Sequence, residues 1–256
     1  MEKRSSDKQD TVRFIRELDK LISKDRIEEA RAYLEEGLAE AKAENDMGLE
    51  LTVLNEMSGF YRINGVRDEG LKAAENALEL MRKMGLSESV TAATTLINSA
   101  TTMKAFGKGE ESIKYYREAE AIYDRLTGEN DYRRAALFNN MALALTDMGE
   151  YNEAEFRFKR ALDILSNLPK GALESAMTYI NMAVMYDKAG MGEKRVCECL
   201  NRAIDLFEDG SIKRDSYYAF CCRKSAPTLK YYGFFAAGEE LSERADKIYK
   251  KAEEDI

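Results

Sequence analysis

The chain has no histidine, no tryptophan, two prolines and four cysteines in 256 residues. Without histidine, neither a Ser-His-Asp nor a Cys-His nucleophile can be assembled. Histidine-ligated zinc is excluded too, and the side chain that most readily moves protons near neutral pH is missing. Carboxylate, lysine or tyrosine chemistry is left, but no acidic pair stands out from 47 Asp and Glu. The expectation is a protein that is not an enzyme and needs no cofactor. Also missing is any run near the ~20 apolar residues of a membrane span. The densest apolar segment, Tyr231 to Ala237, is broken by Gly233. The start, Met1 to Asp10, is charged and lacks the apolar stretch of a signal peptide. A net charge of −8 leaves no basic surface of the kind that displaces counterions from nucleic acid. These absences predict a cytoplasmic protein with neither nucleic acid nor membrane as partner. The cysteines stand in two close pairs, Cys197/Cys199 and Cys221/Cys222, unlike a dispersed secreted disulfide framework.

What is present is a repeat. With 45% hydrophobic and 34% charged residues the chain can bury a core and stay in water. The segments Asn98–Gly107, Asn140–Gly149 and Asn181–Gly190 share one frame, with Asn nine residues before a glycine and Ala seven before it. The frame extends to Gly65 and Gly233, and to Asp25, where glycine is replaced. Positions 25, 65, 107, 149, 190 and 233 lie 40, 42, 42, 41 and 43 residues apart. Small residues recur seven before the turn (Ser58, Ala100, Ala142, Ala183, Ala226). They recur again five after it (Ala30, Gly70, Ser112, Ala154, Gly238) and twelve after it (Gly37, Ala77, Ala119, Ala161, Ala245). Larger knobs lie between them: Tyr61, Met103, Leu145, Tyr186 and Leu229 before the turn, Leu34, Tyr116 and Phe158 after it. Spacings of three, four and seven are helical. Small side chains let two antiparallel helices approach closely, and glycine suits the tight turn between them because it tolerates positive φ.

This pattern resembles the tetratricopeptide repeat over essentially the whole chain. The clearest unit runs from Leu137-Phe138-Asn139-Asn140-Met141-Ala142 through Gly149-Glu150-Tyr151-Asn152-Glu153-Ala154 to Lys159-Arg160-Ala161-Leu162. It looks like the roughly 42-residue variety of kinesin light chains and bacterial peptide-pheromone receptors. The usual terminal proline is missing from every unit, which fits a longer second helix and a separate loop. The resemblance implies an all-α, right-handed superhelical solenoid of about six antiparallel helix hairpins. The expected boundaries are a charged tail over 1–10 and one solenoid over 11–256. Its units fall at about 11–46, 47–87, 88–130, 131–170, 171–211 and 212–256.

Three departures carry expectations. The fifth unit has one extra residue in its turn, so that Val196, Leu200 and Ala203 match the frame after a shift of one. The first unit lacks the glycine. The sixth carries Pro227 within its first helix, where a lost amide and a ring clash predict a bend or a late helix start near Ser225. No capping helix follows the last unit, so Leu241 to Glu254 is expected to close the stack or meet a partner, with a homodimer as one outcome.

Repeats of this family imply a ligand, commonly a peptide or protein segment, lying along a concave surface of first helices. The expected groove residues are Asn98, Asn140 and Asn181, one per central unit, with Asn55, Asn139 and Arg223 one frame position earlier in their own units. An amide offers donor and acceptor together and can pair with both groups of a peptide backbone. The alternative is that these amides bond neighbouring helices. A second candidate is the basic cluster Arg223, Lys224 and Lys230, which suits an acidic side chain, a terminal carboxylate or a phosphate. Its alternative is a solvated cationic face. The carboxylate clamp of chaperone-binding members is not reproduced, since Asp19 and Glu56 put negative charge where it needs Lys or Asn. The cysteines read as buried thiols, not a metal site, because residues two apart on a helix point to different sides. The aromatic runs Tyr217–Phe220 and Tyr231–Phe235 read mostly as core, the alternative being an exposed excess that marks a partner or self-association surface.

The resulting expectation is a non-catalytic interaction scaffold for a peptide or protein segment. Two alternatives accompany it: a receptor for a signalling peptide, and a self-associating module. The receptor reading is weakened because a first repeat near residue 11 leaves no space for an N-terminal effector domain.

Overall fold

The computed structural model describes residues 3–254, with side chains over 11–251. Among the described residues there are twelve α-helices and no strand. They pair in sequence as hairpins: α1 (Lys3–Ser23) with α2 (Ile27–Ala43), α3 (Met47–Ile63) with α4 (Arg67–Lys83), and α5 (Val90–Ala105) with α6 (Gly109–Leu126). The second half repeats this with α7 (Tyr132–Asp147) and α8 (Tyr151–Ser166), α9 (Ala172–Lys188) and α10 (Glu193–Glu208), and α11 (Ser216–Tyr231) and α12 (Phe235–Glu254). The hairpins form two compact units, residues 1–126 and 127–256. The backbone is already helical from Lys3, within the stretch expected as a charged tail; the side chains of 1–10 lie outside the described residues. Nothing between Lys3 and Asp10 is a proline or glycine, so no residue there breaks a helix.

One turn geometry makes all six hairpins. Asp25, Gly65, Gly107, Gly149, Gly190 and Gly233 all have positive φ, from 54° at Asp25 to 85° at Gly233. The following amide reaches back to close the helix: Glu150 N donates to Leu145 O at 2.9 Å, and Arg26 N to Leu21 O at 3.0 Å. This left-handed closure satisfies carbonyls that the helix end would otherwise leave unpaired. Asp25 keeps it without glycine, aspartate being among the few side chains that visit this region routinely. The extra residue of the fifth unit is absorbed by a second positive-φ glycine, Gly192 at 95°, after which α10 starts at Glu193. Four first helices begin differently, on side-chain caps: the carboxylates of Asp46, Asp131 and Asp215 and the Ser89 hydroxyl accept from first-turn amides, whereas α9 starts at Gly171 without one.

The frame read from the sequence is the packing frame. Ser58, Ala100, Ala142, Ala183 and Ala226 are buried, as are Ala30, Ala77, Ala119, Ala154, Ala161 and Ala245. The knobs Tyr61, Met103, Leu145, Tyr186, Leu34, Tyr116, Phe158 and Leu229 fill the space between. A Cβ added at Gly238 would lie 2.6 Å from Lys230 Cγ and 2.9 Å from the Ala226 carbonyl oxygen, which measures how closely α12 approaches α11. Val196, Leu200 and Ala203 are buried in the shifted register of the fifth unit. Within each unit, first helices also pack on the next first helix, α3 on α5 and α7 and α11 on α9.

Pro227 does not delay α11, which runs unbroken from Ser216 to Tyr231. Asp215 starts the helix well upstream, accepting from Tyr217 N at 3.0 Å and Tyr218 N at 3.2 Å. Tyr218, Cys222, Ala226 and Leu229 then bury its inner face. Pro227 itself is exposed, so the carbonyl that loses its amide partner sits on the wet side of the helix, where the loss costs least. The last hairpin is tied to α10 by polar contacts. The Tyr218 hydroxyl donates to Phe207 O at 3.2 Å, and Arg244 donates to the Tyr218 hydroxyl at 3.0 Å and to Glu208 at 2.9 Å.

Candidate ligand-binding surface

The asparagines divide into two pairs and one remaining amide. In the first unit, Asn55 Nδ2 donates to the Leu51 carbonyl at 2.9 Å and to Thr95 Oγ1 at 3.2 Å. Its Oδ1 accepts from Asn98 Nδ2 at 3.3 Å. In the second unit, Asn181 Nδ2 donates to Asn139 Oδ1 at 3.1 Å. Four of the five expected groove amides therefore bridge adjacent first helices, α3 to α5 and α7 to α9, while staying half-buried. The Asn140 side chain makes no hydrogen bond to another described residue, and it lines a hollow of about 300 Å³.

That hollow is built from α7, α9 and α11 of the second unit, with Leu165 contributed by α8. Ala135, Leu165 and Met177 supply apolar lining, and Tyr132, Glu174 and Tyr217 supply polar groups. Glu174 lies in the first turn of α9, where the helix dipole favours negative charge. Its Oε1 accepts from the Tyr217 hydroxyl at 3.0 Å and from the Tyr132 hydroxyl at 3.3 Å. Its Oε2 is buried, and no described protein donor reaches it. Burial pushes the Tyr217 and Tyr132 hydroxyls above the ordinary phenol range, and the neighbouring Glu174 charge pushes the same way. Both therefore stay protonated as donors. The Tyr217 and Phe220 rings stack with centroids 6.2 Å apart and planes 17° from parallel. On the other side of Glu174 and Tyr217 is a second hollow of about 500 Å³, lined by Leu168, Pro169 and Ile212 from the loops.

Of the residues lining this hollow, the sequence points to Asn139 and Asn140 and to the Tyr217–Phe220 aromatics, but not to Glu174 or Tyr132. These stand at the beginnings of first helices, outside the segments whose self-similarity reveals the repeat. One signal was available: Glu174 and Tyr217 occupy matching places in the opening turns of α9 and α11. The aromatic runs also divide. Tyr218 is fully buried, but Tyr217 and Phe220 are 46% and 45% exposed. Tyr231 and Phe235, at 78% and 69%, flank the last turn. The core reading thus holds for Tyr218, while an exposed excess is left on these four rings, because only one face of each helix can turn inward.

The basic cluster is partnered by α12. Arg223 Nη2 donates to Asp246 Oδ1 at 2.9 Å, and its guanidinium lies 4.2 Å over the Tyr249 ring. Lys230 Nζ sits 2.5 Å from Glu239 Oε2. Lys224 Nζ lies 5.9 Å from the centroid of Phe220. Arg223 and Lys230 are thus balanced by acids of their own hairpin. Of the cysteines, Cys199, Cys221 and Cys222 are buried and Cys197 is half-buried. Burial raises the Cys199 thiol to about 11 and Cys221 to about 12, so both are held as neutral thiols.

Residues 91–167 match the family model of the tetratricopeptide repeat. No curated protein matches the chain. Among solved structures, BtubC (BKLC) from P. vanneervenii is 27% identical with a TM-score of 0.65, covering 74% of this chain and 76% of that one. A kinesin light chain of Podosopora anserina with nearly identical TPR-like repeats is 19% identical with a TM-score of 0.56, over 79% of this chain and 96% of its own. A Rap protein, complexed with competence and sporulation factor, is 14% identical with a TM-score of 0.57; the match covers 93% of this chain and 63% of that one. No helix among the described residues is long and apolar enough to cross a membrane. Residues 91–167 thus carry the tetratricopeptide repeat, and helix hairpins with left-handed turns continue at the same interval on either side of them, the architecture shared with these solved structures.

Proposed function

We propose that the protein is a non-catalytic interaction scaffold that holds a peptide or protein segment against its first-helix surface, with the second unit as the principal contact. The observation that carries this reading is the hollow among α7, α9 and α11. It combines apolar lining, an aromatic wall and an Asn140 amide with no partner among the described residues. Apolar walls with a few convergent polar groups are the usual form of a binding site. The absence of histidine and the raised thiols support a role without catalysis. In this reading Asn140 meets the ligand directly, while Asn55, Asn98, Asn139 and Asn181 hold the surface in shape. Arg223, Lys224 and Lys230 act at its edge once a ligand competes with Asp246 and Glu239.

The test is selection of peptides from a random displayed library, followed by hydrogen exchange with the best binder. Slowed exchange concentrated in α7, α9 and α11 is expected. A binder that instead protects α8, α10 and α12 refutes the placement, and a library that yields no binder refutes the scaffold reading.

A further inference from the structure

From the Glu174 hollow we infer that this site receives a guanidinium side chain, an arginine of the bound segment. Glu174 is the one charged side chain among the described residues that line it, and the rest are apolar or neutral polar. The hollow therefore presents a single negative charge within low-dielectric walls, where its attraction for a cation is least screened. The hydrogen bonding of the carboxylate is half-complete. Two phenol hydroxyls converge on Oε1, fixing the orientation of the group, while Oε2 is buried and receives nothing from the protein. A buried polar atom without a donor is costly, and more so when charged. Oε2 has no open surface of its own, so a donor entering the hollow completes the set by turning the carboxylate towards it.

The walls narrow the choice of donor. A guanidinium is planar, weakly hydrated and stacks on aromatic faces, whereas an ammonium is a compact and strongly hydrated point charge. The Tyr217 ring, stacked on Phe220, offers such a face at the edge of the hollow, while Lys224 lies over Phe220 itself. The Asn140 amide oxygen supplies a second acceptor for a donor fork. Met177, Ala135 and Leu165 suit the aliphatic stem of the same side chain. About 300 Å³ is enough space for one such side chain, not for a folded element.

This inference rests on the reading that a segment lies on the first-helix surface, but its test needs no peptide. N-acetyl-arginine methylamide is titrated into the full chain. Binding is followed through the side-chain amide resonance of Asn140 and the methyl resonance of Met177. The neutral isostere N-acetyl-citrulline methylamide, titrated in the same way, is the control for shape. The arginine compound is expected to shift both resonances at millimolar concentration, with the citrulline compound about tenfold weaker or worse, the factor that a lost charge-assisted bond implies. Glu174→Gln should abolish the difference between the two while the far-ultraviolet spectrum stays unchanged. Equal binding of the two compounds to the wild-type chain overturns the inference, since an apolar slot alone would then explain it. Shifts from neither compound also overturn it. In both cases the library selection still reports separately on the scaffold reading.

Discussion

Asn139 and Asn181 provide the sharpest test of what the asparagines do, because Asn140, one residue from the first of them, is a built-in control. The perturbation is the pair of single substitutions Asn139→Ala and Asn181→Ala with their double. One hydrogen bond of 3.1 Å, from Asn181 Nδ2 to Asn139 Oδ1, joins the two side chains across α7 and α9. A neutral hydrogen bond contributes about 1 kcal/mol net, and stranding one partner in a half-buried site costs about 1 kcal/mol or somewhat more. Each single variant should therefore lose about 1 kcal/mol, lowering the melting temperature by about 2–4 °C in a chain of this size. The double variant should lose less than the sum, leaving a coupling of about 0.5–1 kcal/mol. Asn140→Ala removes no bond within the protein and should stay within about 0.5 kcal/mol of wild type. The assay is urea unfolding followed by helical circular dichroism, analysed as a repeat array with nearest-neighbour coupling. Additive losses at 139 and 181, or an Asn140→Ala cost as large as theirs, would falsify the division into bracing and ligand-facing amides.

Other consequences follow from the packing and the titrating groups. Phe158, fully buried between small residues of the frame, should cost about 3–5 kcal/mol on change to Ala; denaturant midpoints measure it, and a loss below about 1 kcal/mol refutes its role as a knob. Gly238→Ala places a carbon 2.9 Å from the Ala226 carbonyl and should destabilise α11 against α12 by about 1–3 kcal/mol. Gly65→Ala meets open space and should cost only its backbone strain at φ 71°, about 1–2 kcal/mol. Equal protease sensitivity of the α11–α12 hairpin in wild type and Gly238→Ala would contradict the close approach. At alkaline pH, burial raises Cys199 from 9.0 to about 11 and Cys221 from 9.0 to about 12, and raises Tyr116 from 10.0 to about 12. The folded state then holds protons that the unfolded chain releases. The stability they contribute is complete below about pH 9 and is lost as pH rises towards 12; a melting temperature that stays flat over that range argues against buried thiols. At pH 8 a thiol reagent should modify half-buried Cys197 ahead of the other three.

The repeat was legible because helix packing imposes a period on side-chain size. Wherever two helices approach closely, the chain must carry Ala, Ser or Gly, and wherever they part it needs Leu, Met, Phe or Tyr. Ala142, Leu145, Ala154, Phe158 and Ala161 write that rule in one unit, and every one of them is buried. The turns were equally legible, since a left-handed residue selects glycine at five of six places. Pro227 misled because the cost of a proline depends on which face of the helix it occupies, and that was fixed by burial of the opposite face. The surroundings of the cluster Arg223, Lys224 and Lys230 were likewise not legible. Charge along the chain says nothing of the acids that α12 folds back beside them, Asp246 to Arg223 and Glu239 to Lys230.

The sequence alone thus determined the helices, their pairing and the small-against-large register, because these are local consequences of period and turn chemistry. It left open which asparagines face one another and which face outward, because Asn139 and Asn140 differ by one helical step of about 100°. It could not announce Glu174, a common surface residue type until Tyr132 from α7 and Tyr217 from α11 converge on it. Tertiary structure decided that convergence, since three first helices from separate repeats must stand side by side before one carboxylate can hold two hydroxyls and keep an oxygen in reserve.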